Sequence, residues 1–208
     1  FFNGQYTRTA SFFSNSDLAS SGLPVGEELE LLERYRGRVP ERVFTNEFQP
    51  PVTDGSGRPR KNLRAATALL EAAGWEVRDL KLANVETGAP MVFEILLYSP
   101  AFERIVLPFT RNLEQLGIEA SIRLVDQTQY INRFREKDFD MLVWTWGQSE
   151  TPGNEQRGYW GTDAADATGS RNLAGIKDPV VDELIELLVM AESREQLNVR
   201  TRALDRVL

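Results

Sequence analysis

The sequence predicts an α/β fold in which helices cover a mixed sheet. Residues 91–125 read as a strand, a helix and a second strand, a βαβ unit that normally forms a parallel pair with a right-handed crossover. A second βα repeat follows, because a short helix over 127–137 precedes an apolar strand over 139–146. A hairpin pattern supplies the third observation, with strands at 80–85 and 91–99 separated by a Gly- and Pro-containing turn.

The βαβ unit is defined by the spacing of its apolar side chains. Pro100 ends the first strand, and Gly117 is expected to end the helix at a left-handed residue. Pro108 lies inside the helix and is expected to kink it. Residues 118–125 alternate between apolar and polar, which is typical of a strand with one covered face. The apolar positions that recur at helical spacing are Phe102, Ile105, Val106, Phe109, Leu113 and Leu116.

The segment before the sheet is rich in loops. Residues 1–60 contain short predicted helices over 11–19 and 27–36. A longer helix is predicted over 62–73, with Asn62 as its N-cap and Gly74 just after its end. The acidic run of the first segment is expected to face solvent: Glu27, Glu28, Glu30 and Glu33.

Two helices are predicted at the end of the chain. Asp178 can cap the first of them, and Pro179 suits its first turn. Ser193 and Gln196 have the spacing of a capping box for the second, which continues to Leu208.

Composition excludes several classes of function. The 208 residues carry a net charge of -7, which argues against the basic face that a nucleic-acid-binding protein needs. The sequence has no cysteine, so disulfides, zinc thiolate sites and thiol nucleophiles are excluded. It also has no histidine, so a Ser-His-Asp triad and the commonest transition-metal ligand are excluded. We therefore predict neither a catalytic centre nor a metal site, and no cofactor.

The candidate binding site is the polar stretch that follows the apolar strand. Residues 147–178 read as a long loop, and loops of that length are usually functional or disordered. Trp144 and Trp146 share one face of the strand, and aromatic rings beside amides and a carboxylate are suited to a ligand wall. The predicted ligand-binding residues are Trp146, Gly147, Gln148, Ser149, Glu150, Asn154, Glu155, Gln156 and Arg157.

Each of these residues also has a purely structural interpretation. The tryptophans could be core aromatics, and the Ser, Asn and acidic residues could make the loop's own turns. Arg157 could bind a ligand carboxylate, pair with Glu155 or Glu150, or face water. Later residues of the loop carry the same alternatives, as side chains of a pocket or as anchors: Tyr159, Trp160, Arg171 and Asn172.

An ordered set of short motifs resembles one known family. The sequence is similar to the extracytoplasmic solute-binding proteins of ABC importers, in the oligopeptide- and dipeptide-binding class (family 5) and its YejA-like branch. The matching stretches cover nearly the whole chain and are 4–8, 22–24, 50–57, 72–75, 116–118, 137–141, 149–156 and 175–179.

This resemblance implies a two-lobed fold of the type II periplasmic-binding-protein class that closes on its ligand. Residues 1–208 would form the C-terminal lobe, divided into a loop-rich portion (1–60), a sheet core (61–146), a cleft loop (147–178) and C-terminal helices (179–208). The resemblance also implies a periplasmic, monomeric protein that is not an enzyme, with a peptide-like solute and a membrane ABC permease as its partners.

The resemblance also assigns roles within the loop. Family members pair an extended peptide with the backbone after this strand and carry an aromatic residue at the position of Trp146. They often carry an aspartate for the peptide ammonium at the position that is Ser149 here. Glu150 is the neighbouring carboxylate, although a shift by one residue reverses the direction of a strand side chain. The ligand could therefore be a modified peptide, or its charge could be met by the other lobe.

Two other functions remain open at the level of sequence. Glu150 and Glu155 could act as the paired carboxylates of a hydrolase, which need a separation of about 5 to 9.5 Å in glycosidases. The same fold could also serve as the effector-sensing domain of a transcriptional regulator. A signal peptide upstream of Phe1 would favour transport, and a DNA-binding helix-turn-helix there would favour regulation.

Overall fold

The computed structural model describes residues 6–53, 57 and 59–208. The predicted turn over 54–57 lies outside the described residues except for Gly57, and so do Gly4 and Gln5 of the first matching motif. The helices are α1 (Gly26–Glu33), α2 (Arg42–Thr45), α3 (Arg60–Ala72), α4 (Pro100–Glu114), α5 (Gln127–Glu136), α6 (Glu155–Trp160), α7 (Thr162–Ala165), α8 (Pro179–Val189) and α9 (Arg194–Val207). The strands are β1 (Trp75–Arg78), β2 (Lys81–Asn84), β3 (Val92–Leu97), β4 (Glu119–Leu124) and β5 (Met141–Leu142).

The chain divides into two compact units. The first comprises the described residues among 1–7 and 51–144, and the second comprises 8–50 and 145–208. The unit boundary at 144/145 lies close to the predicted boundary between the sheet core and the cleft loop. The assignment of all 208 residues to one lobe stays a prediction.

The first unit contains the predicted βαβ unit. Strand β3 pairs in parallel with β4 over its whole length and with β5 at Ile95 and Leu96, which gives the order β4-β3-β5. Ile95, Leu97 and Val106 form one buried cluster beneath α4. Ser99 caps α4 by accepting a hydrogen bond from the backbone of Ala101. The α/β class is thus confirmed.

Gly117 is required by both its conformation and its surroundings. It has a φ of 79°, and a Cβ placed there would lie 2.7 Å from the backbone nitrogen of Leu82. That nitrogen donates a hydrogen bond to the carbonyl oxygen of Gly117 at 2.7 Å. A side chain would be strained at this φ and would separate the two backbones.

The parallel and antiparallel strands lie in separate sheets. Strand β1, which the sequence analysis missed, pairs with β2 in a two-stranded antiparallel sheet. Asp79 and Leu80 connect them with φ values of 49° and 67°, the positive values of a tight hairpin turn that Asn-Gly usually supplies. The predicted hairpin between 80–85 and 91–99 is reduced to one isolated bridge, between Ala83 and Pro90.

The strand predicted over 139–146 is wrong in length. Only Met141 and Leu142 pair as a strand, because on either side of them side chains form the hydrogen bonds that backbone pairing would otherwise supply. The carboxylate of Asp140 accepts the hydrogen bond of the Glu94 backbone nitrogen at 2.9 Å. The hydroxyl of Tyr130 donates to the carbonyl oxygen of Val143 at 2.5 Å.

The predicted cap at Asn62 is also wrong. Helix α3 begins at Arg60, and the Asn62 amide instead donates to the carbonyl oxygen of Val52 at 3.0 Å. Gly74 follows this helix with a φ of 81°, as predicted.

The second unit is mainly helical. Helices α8 and α9 bury a common core with α1, in which Leu32, Leu184 and Leu204 are fully buried. Asp178 and Ser193 cap α8 and α9 as predicted, since each side chain accepts a backbone hydrogen bond. Only the Ser193 half of the predicted capping box forms, because the Gln196 side chain accepts from the backbone nitrogen of Glu192. The helix predicted over 11–19 is a series of turns.

One acidic residue of the first helix is buried, contrary to the prediction. Glu28 forms an ion pair with Arg206 at 2.7 Å, and the two side chains are 9% and 7% exposed. Arg206 also donates to the carbonyl oxygens of Gly22 and Ser21. This pair connects α1 to α9 inside the unit.

The segment 147–178 is not a continuous loop. It contains α6 and α7, because Trp160, Ala164 and Ala165 provide an apolar side that becomes buried. The polar composition of the surrounding residues conceals these short helices in the sequence.

Candidate functional site

Trp146 is fixed in place by its indole group. Its Nε1 donates a hydrogen bond to the carbonyl oxygen of Arg171 at 3.0 Å. Its ring centroid lies 5.1 Å from that of Trp160 and 6.0 Å from that of Phe12. The side chain is half-buried, so one part packs on the core of the second unit and another part faces solvent.

Gly147 is exposed, but its carbonyl oxygen accepts a hydrogen bond from a buried side chain. The hydroxyl of Tyr159 donates to the Gly147 oxygen at 3.2 Å, and the Arg171 guanidinium donates to that hydroxyl at 3.1 Å. Tyr159 and Trp160 are both buried. In this structure they therefore anchor the segment, and neither supplies an open side-chain pocket.

Two glutamine amides connect the segment to Trp160. Gln156 is fully buried, accepts from Trp160 Nε1 at 2.9 Å and donates to Gln148 Oε1 at 2.7 Å. Gln148 itself is half-buried. Gln156 thus acts as an internal connector, and its place among the ligand-binding residues stays a prediction.

Ser149 and Glu150 lie on the exposed part of the segment. Ser149 Oγ accepts from the backbone of Thr151 at 3.1 Å. The carbonyl oxygen of Glu150 accepts a hydrogen bond from the Arg194 guanidinium. Within the part of the chain that the structure describes, the carboxylate of Glu150 has no hydrogen-bond or ion-pair partner.

Arg194 extends this support into the N-terminal part of the unit. Its guanidinium also binds the carboxylate of Asp17, which accepts from the Asn198 amide at 2.9 Å as well. The hydrogen bond from Arg194, followed by that from Asn198, lowers the pKa of Asp17 below its ordinary value. The Glu150 backbone is thus held by Arg194 of α9, which is itself paired with Asp17.

Arg157 pairs with Glu186 rather than with Glu150 or Glu155. Two guanidinium nitrogens contact the two carboxylate oxygens at 2.6 Å each, and Asn154 Oδ1 accepts from the third nitrogen. This hydrogen bonding raises the pKa of Arg157 and lowers that of Glu186. Of the alternatives given for Arg157, pairing with Glu155 or Glu150 is therefore wrong, and its place among the ligand-binding residues stays a prediction.

Glu155 is also engaged within its own turn. One carboxylate oxygen accepts from the backbone of Gly153 at 2.9 Å and from the Gln156 amide at 3.2 Å. Glu150 does not share in these contacts. The two carboxylates are thus in different hydrogen-bonding environments.

The last predicted loop residues have different roles. Asn172 is fully buried and makes three hydrogen bonds of 2.9 Å, to the carbonyl oxygens of Gly161 and Ile176 and from the Ile176 backbone nitrogen. It is therefore a structural amide. Arg171 is exposed, and its guanidinium lies 5.7 Å from the centre of the Tyr159 ring.

The relationships of the whole sequence identify its family. The profile of the bacterial extracellular solute-binding proteins, family 5 Middle, matches residues 1–168. The chain belongs to this family. A probable peptide-binding protein, YejA, from Agrobacterium fabrum is 47% identical over 205 residues, which are 99% of this chain and 33% of that protein. This family 5 chain spans about a third of the length of the curated relatives that it matches.

Solved structures confirm the fold of this family 5 chain. The oligopeptide-binding protein AppA from Bacillus subtilis, in complex with a nonapeptide, superposes with a TM-score of 0.61 at 20% identity over 69% of this chain and 28% of that one. A periplasmic oligopeptide-binding protein from Thermotoga maritima, with bound mannohexaose, gives a TM-score of 0.63 at 17% identity over 91% of this chain and 34% of that one. At these identities the likeness concerns the fold alone.

A separate hollow in the second unit contains none of the nine predicted ligand-binding residues. It has a volume of about 700 Å³ and is lined by residues 9–12, 20–22, 46–49 and 205–208, together with Pro40, Arg42 and Val43. Size alone therefore does not identify the binding segment of this family 5 chain.

Sequence reasoning missed the residues that support the site. Arg194 and Asp17 are far apart in sequence from Glu150, and their charges resemble those of any solvated helix face. Their contact with the segment follows from tertiary packing and has no local pattern.

Within the described ranges, no helix is long and apolar enough to cross a membrane, and no acidic residues gather in a group suited to a metal ion.

Proposed function

We propose that this chain is part of the substrate-binding component of an ABC importer, which captures oligopeptides or modified peptides and delivers them to a membrane permease. Membership in family 5 and the 47% identity to a probable peptide-binding protein support this role. We also propose that the protein is periplasmic and monomeric, that it does not bind nucleic acid and that it is not an enzyme.

The observation that carries the proposal is the arrangement of residues 146–150. This stretch is largely solvent-facing, yet three hydrogen bonds to carbonyl oxygens hold it in place. The Trp146 indole donates to Arg171, the Tyr159 hydroxyl donates to Gly147, and the Arg194 guanidinium donates to Glu150. A backbone that is ordered before binding loses little conformational entropy when a ligand pairs with it. Such a segment suits an extended peptide that binds as an added strand.

Side chains on this segment give the proposed site its chemistry. The exposed part of Trp146 offers an apolar surface that accepts variable side chains. Glu150 supplies a carboxylate without a protein partner among the described residues, and we assign it to the ligand ammonium in place of the aspartate that Ser149 replaces. Closure of two lobes over the ligand would shift the population toward the closed state.

Capture of peptides by the full-length protein tests this function. The protein is freed of bound solute by partial unfolding, refolded and incubated with a peptic digest of casein. It is then isolated by gel filtration, and mass spectrometry identifies the peptides released by acid. We expect retention of a subset of peptides, whereas mock-treated serum albumin sets the background. Retention at this background level for every peptide would overturn the proposed function.

A further inference from the structure

Phe12 places an aromatic ring at the border of the hollow in the second unit. The side chain is 42% exposed, whereas that of its neighbour Phe13 is 2% exposed. Its ring centroid lies 4.6 Å from that of Trp160 and 6.0 Å from that of Trp146, and the same side chain lines the hollow of about 700 Å³. One accessible ring thus connects the apolar surface at Trp146 with a cavity large enough for a solute group.

Buried hydrogen bonds hold the wall of this hollow in place. The Asp205 carboxylate is 7% exposed and accepts from the Phe12 backbone nitrogen at 2.9 Å. It also accepts from the backbone nitrogen and the hydroxyl of Ser20, at 2.9 and 2.6 Å. The Arg206 guanidinium donates to the carbonyl oxygen of Gly22 at 2.8 Å. The turns around Phe12 are therefore fixed before a solute binds, so little conformational entropy is lost there on binding.

The free surface of the hollow is largely apolar and partly aromatic. The Phe48 side chain is 70% exposed, and aliphatic residues share the lining with it: Pro40, Val43, Val207 and Leu208. The Glu47 carboxylate accepts from the Gly22 backbone nitrogen at 3.2 Å. Of the two arginines in the lining, Arg206 is engaged, and Arg42 has no hydrogen-bond or ion-pair partner among the described residues. Because a guanidinium is attracted to the face of an aromatic ring, this lining favours an aromatic group.

We propose that the hollow receives a large aromatic side chain of the bound peptide, which contacts Phe12 and Phe48. This inference rests on the proposed function and names a class of solute that the protein prefers. Aromatic rings that meet edge to face gain more free energy than their buried area alone supplies. A hollow of about 700 Å³ lies within the range of small-molecule pockets, so it has room for a phenyl or indole group. Neither residue belongs to the segment after β5.

Five tetrapeptides test this preference by titration calorimetry with the full-length protein, freed of bound solute as above. One is tetra-alanine, and the other four carry a single phenylalanine at the first, second, third or fourth position. We expect at least one of these four to bind about tenfold more tightly than tetra-alanine, because its ring leaves water for an apolar wall. The quantity compared is the ratio of the Kd for tetra-alanine to the Kd for the tightest of the four.

Two substitutions should bring this ratio from about ten toward one. Phe48→Ala removes a largely exposed ring of the lining, and Phe12→Leu removes the aromatic ring while keeping an apolar contact for Trp160. Phe109→Ala removes a ring of similar exposure, 44%, from α4 and should keep the wild-type ratio. A general disturbance of the site would weaken all five peptides alike and leave the ratio unchanged, so the ratio isolates contact with the ring.

A wild type that binds tetra-alanine with no advantage for any peptide containing phenylalanine would overturn the inference and leave the proposed function intact. A wild-type ratio in either Phe48→Ala or Phe12→Leu would also overturn it, and so would an equal fall of the ratio in Phe109→Ala. Failure of the wild type to bind any of the five peptides would overturn the inference as well, whereas the proposed function is decided separately by retention of casein peptides.

Discussion

Two neighbouring charged residues of the site differ in what they can offer a ligand. Arg157 is held by both oxygens of Glu186 and by Asn154, so a ligand carboxylate would have to compete with contacts already made. The carboxylate of Glu150 has no partner among the described residues, while its backbone is fixed by Arg194. Between these two residues, Glu150 is the better candidate for recognition of a ligand charge.

Glu150→Gln in the full-length protein should therefore weaken the binding of peptides with a free amino terminus. We expect at least a tenfold rise in the Kd for tetra-alanine, because a charge-assisted hydrogen bond becomes a neutral one. N-acetyl-tetra-alanine, which lacks the ammonium group, provides the control. Titration calorimetry measures the Kd of each peptide for the wild type and for the variant. A variant-to-wild-type Kd ratio that is the same for both peptides would contradict the assigned role.

At the same scale, Glu28 should matter for stability rather than binding. Replacing it with Gln leaves the Arg206 guanidinium, which is 7% exposed, without its counter-charge. Breaking a buried ion pair by removing one partner typically costs about 3 kcal/mol or more. We expect a loss of this size in urea unfolding of Glu28→Gln. Glu30→Gln, at an exposed position of the same helix, should change the free energy of unfolding by less than about 0.5 kcal/mol.

At the scale of elements, a hydroxyl group on α5 forms a hydrogen bond with the segment after β5. Tyr130 is buried and donates to the Val143 carbonyl oxygen at 2.5 Å. Burial, followed by the charge of Tyr98, raises the pKa of Tyr130 to about 12. The unfolded chain loses this proton near pH 10, whereas the folded protein keeps it until a higher pH. Stability from this group is therefore full below about pH 10 and is lost as the pH rises toward 12.

Tyr130→Phe should consequently be less stable than the wild type at pH 7, by about 1 kcal/mol, through loss of one hydrogen bond. The difference should shrink as the pH rises above about 10, because only the wild type has this hydroxyl to ionise on unfolding. Urea unfolding across this range measures the effect, and Tyr6→Phe, at an exposed position, provides the comparison. A difference that stays constant with pH would contradict this explanation.

The elements that sequence could predict are those whose residues act locally. Helix α4, the alternation of β4 and the left-handed Gly117 all follow from side-chain spacing and backbone preference. The length of β5 does not follow from such local patterns. The Asp140 carboxylate and the Tyr130 hydroxyl make hydrogen bonds that take the place of backbone pairing beside this strand. Nor does the burial of Gln156 follow from them, because a polar residue enters a core only when partners such as Trp160 arrive through tertiary structure.

At the scale of the whole molecule, each unit of the chain has its own buried core. The first packs Ile95, Leu97 and Val106 beneath α4, and the second packs Leu184 and Leu204 between helices. The chain spans about a third of the length of its curated relatives, so most of the length of those relatives lies outside the region that it matches. Folding and ligand affinity therefore need not depend on the same set of residues.

We expect the isolated 208-residue chain to fold but to bind peptides poorly. Its own cores supply apolar burial and its helices are capped, so circular dichroism should show a cooperative thermal transition. A ligand that favours lobe closure gains affinity from contacts with both lobes, and we propose that this chain supplies the contacts of only one lobe. Titration of tetra-alanine into the full-length protein and into the isolated chain compares the two under the same conditions. Micromolar binding by the isolated chain, equal to that of the full-length protein, would show that residues 1–208 hold the complete site and would contradict the two-lobe mechanism.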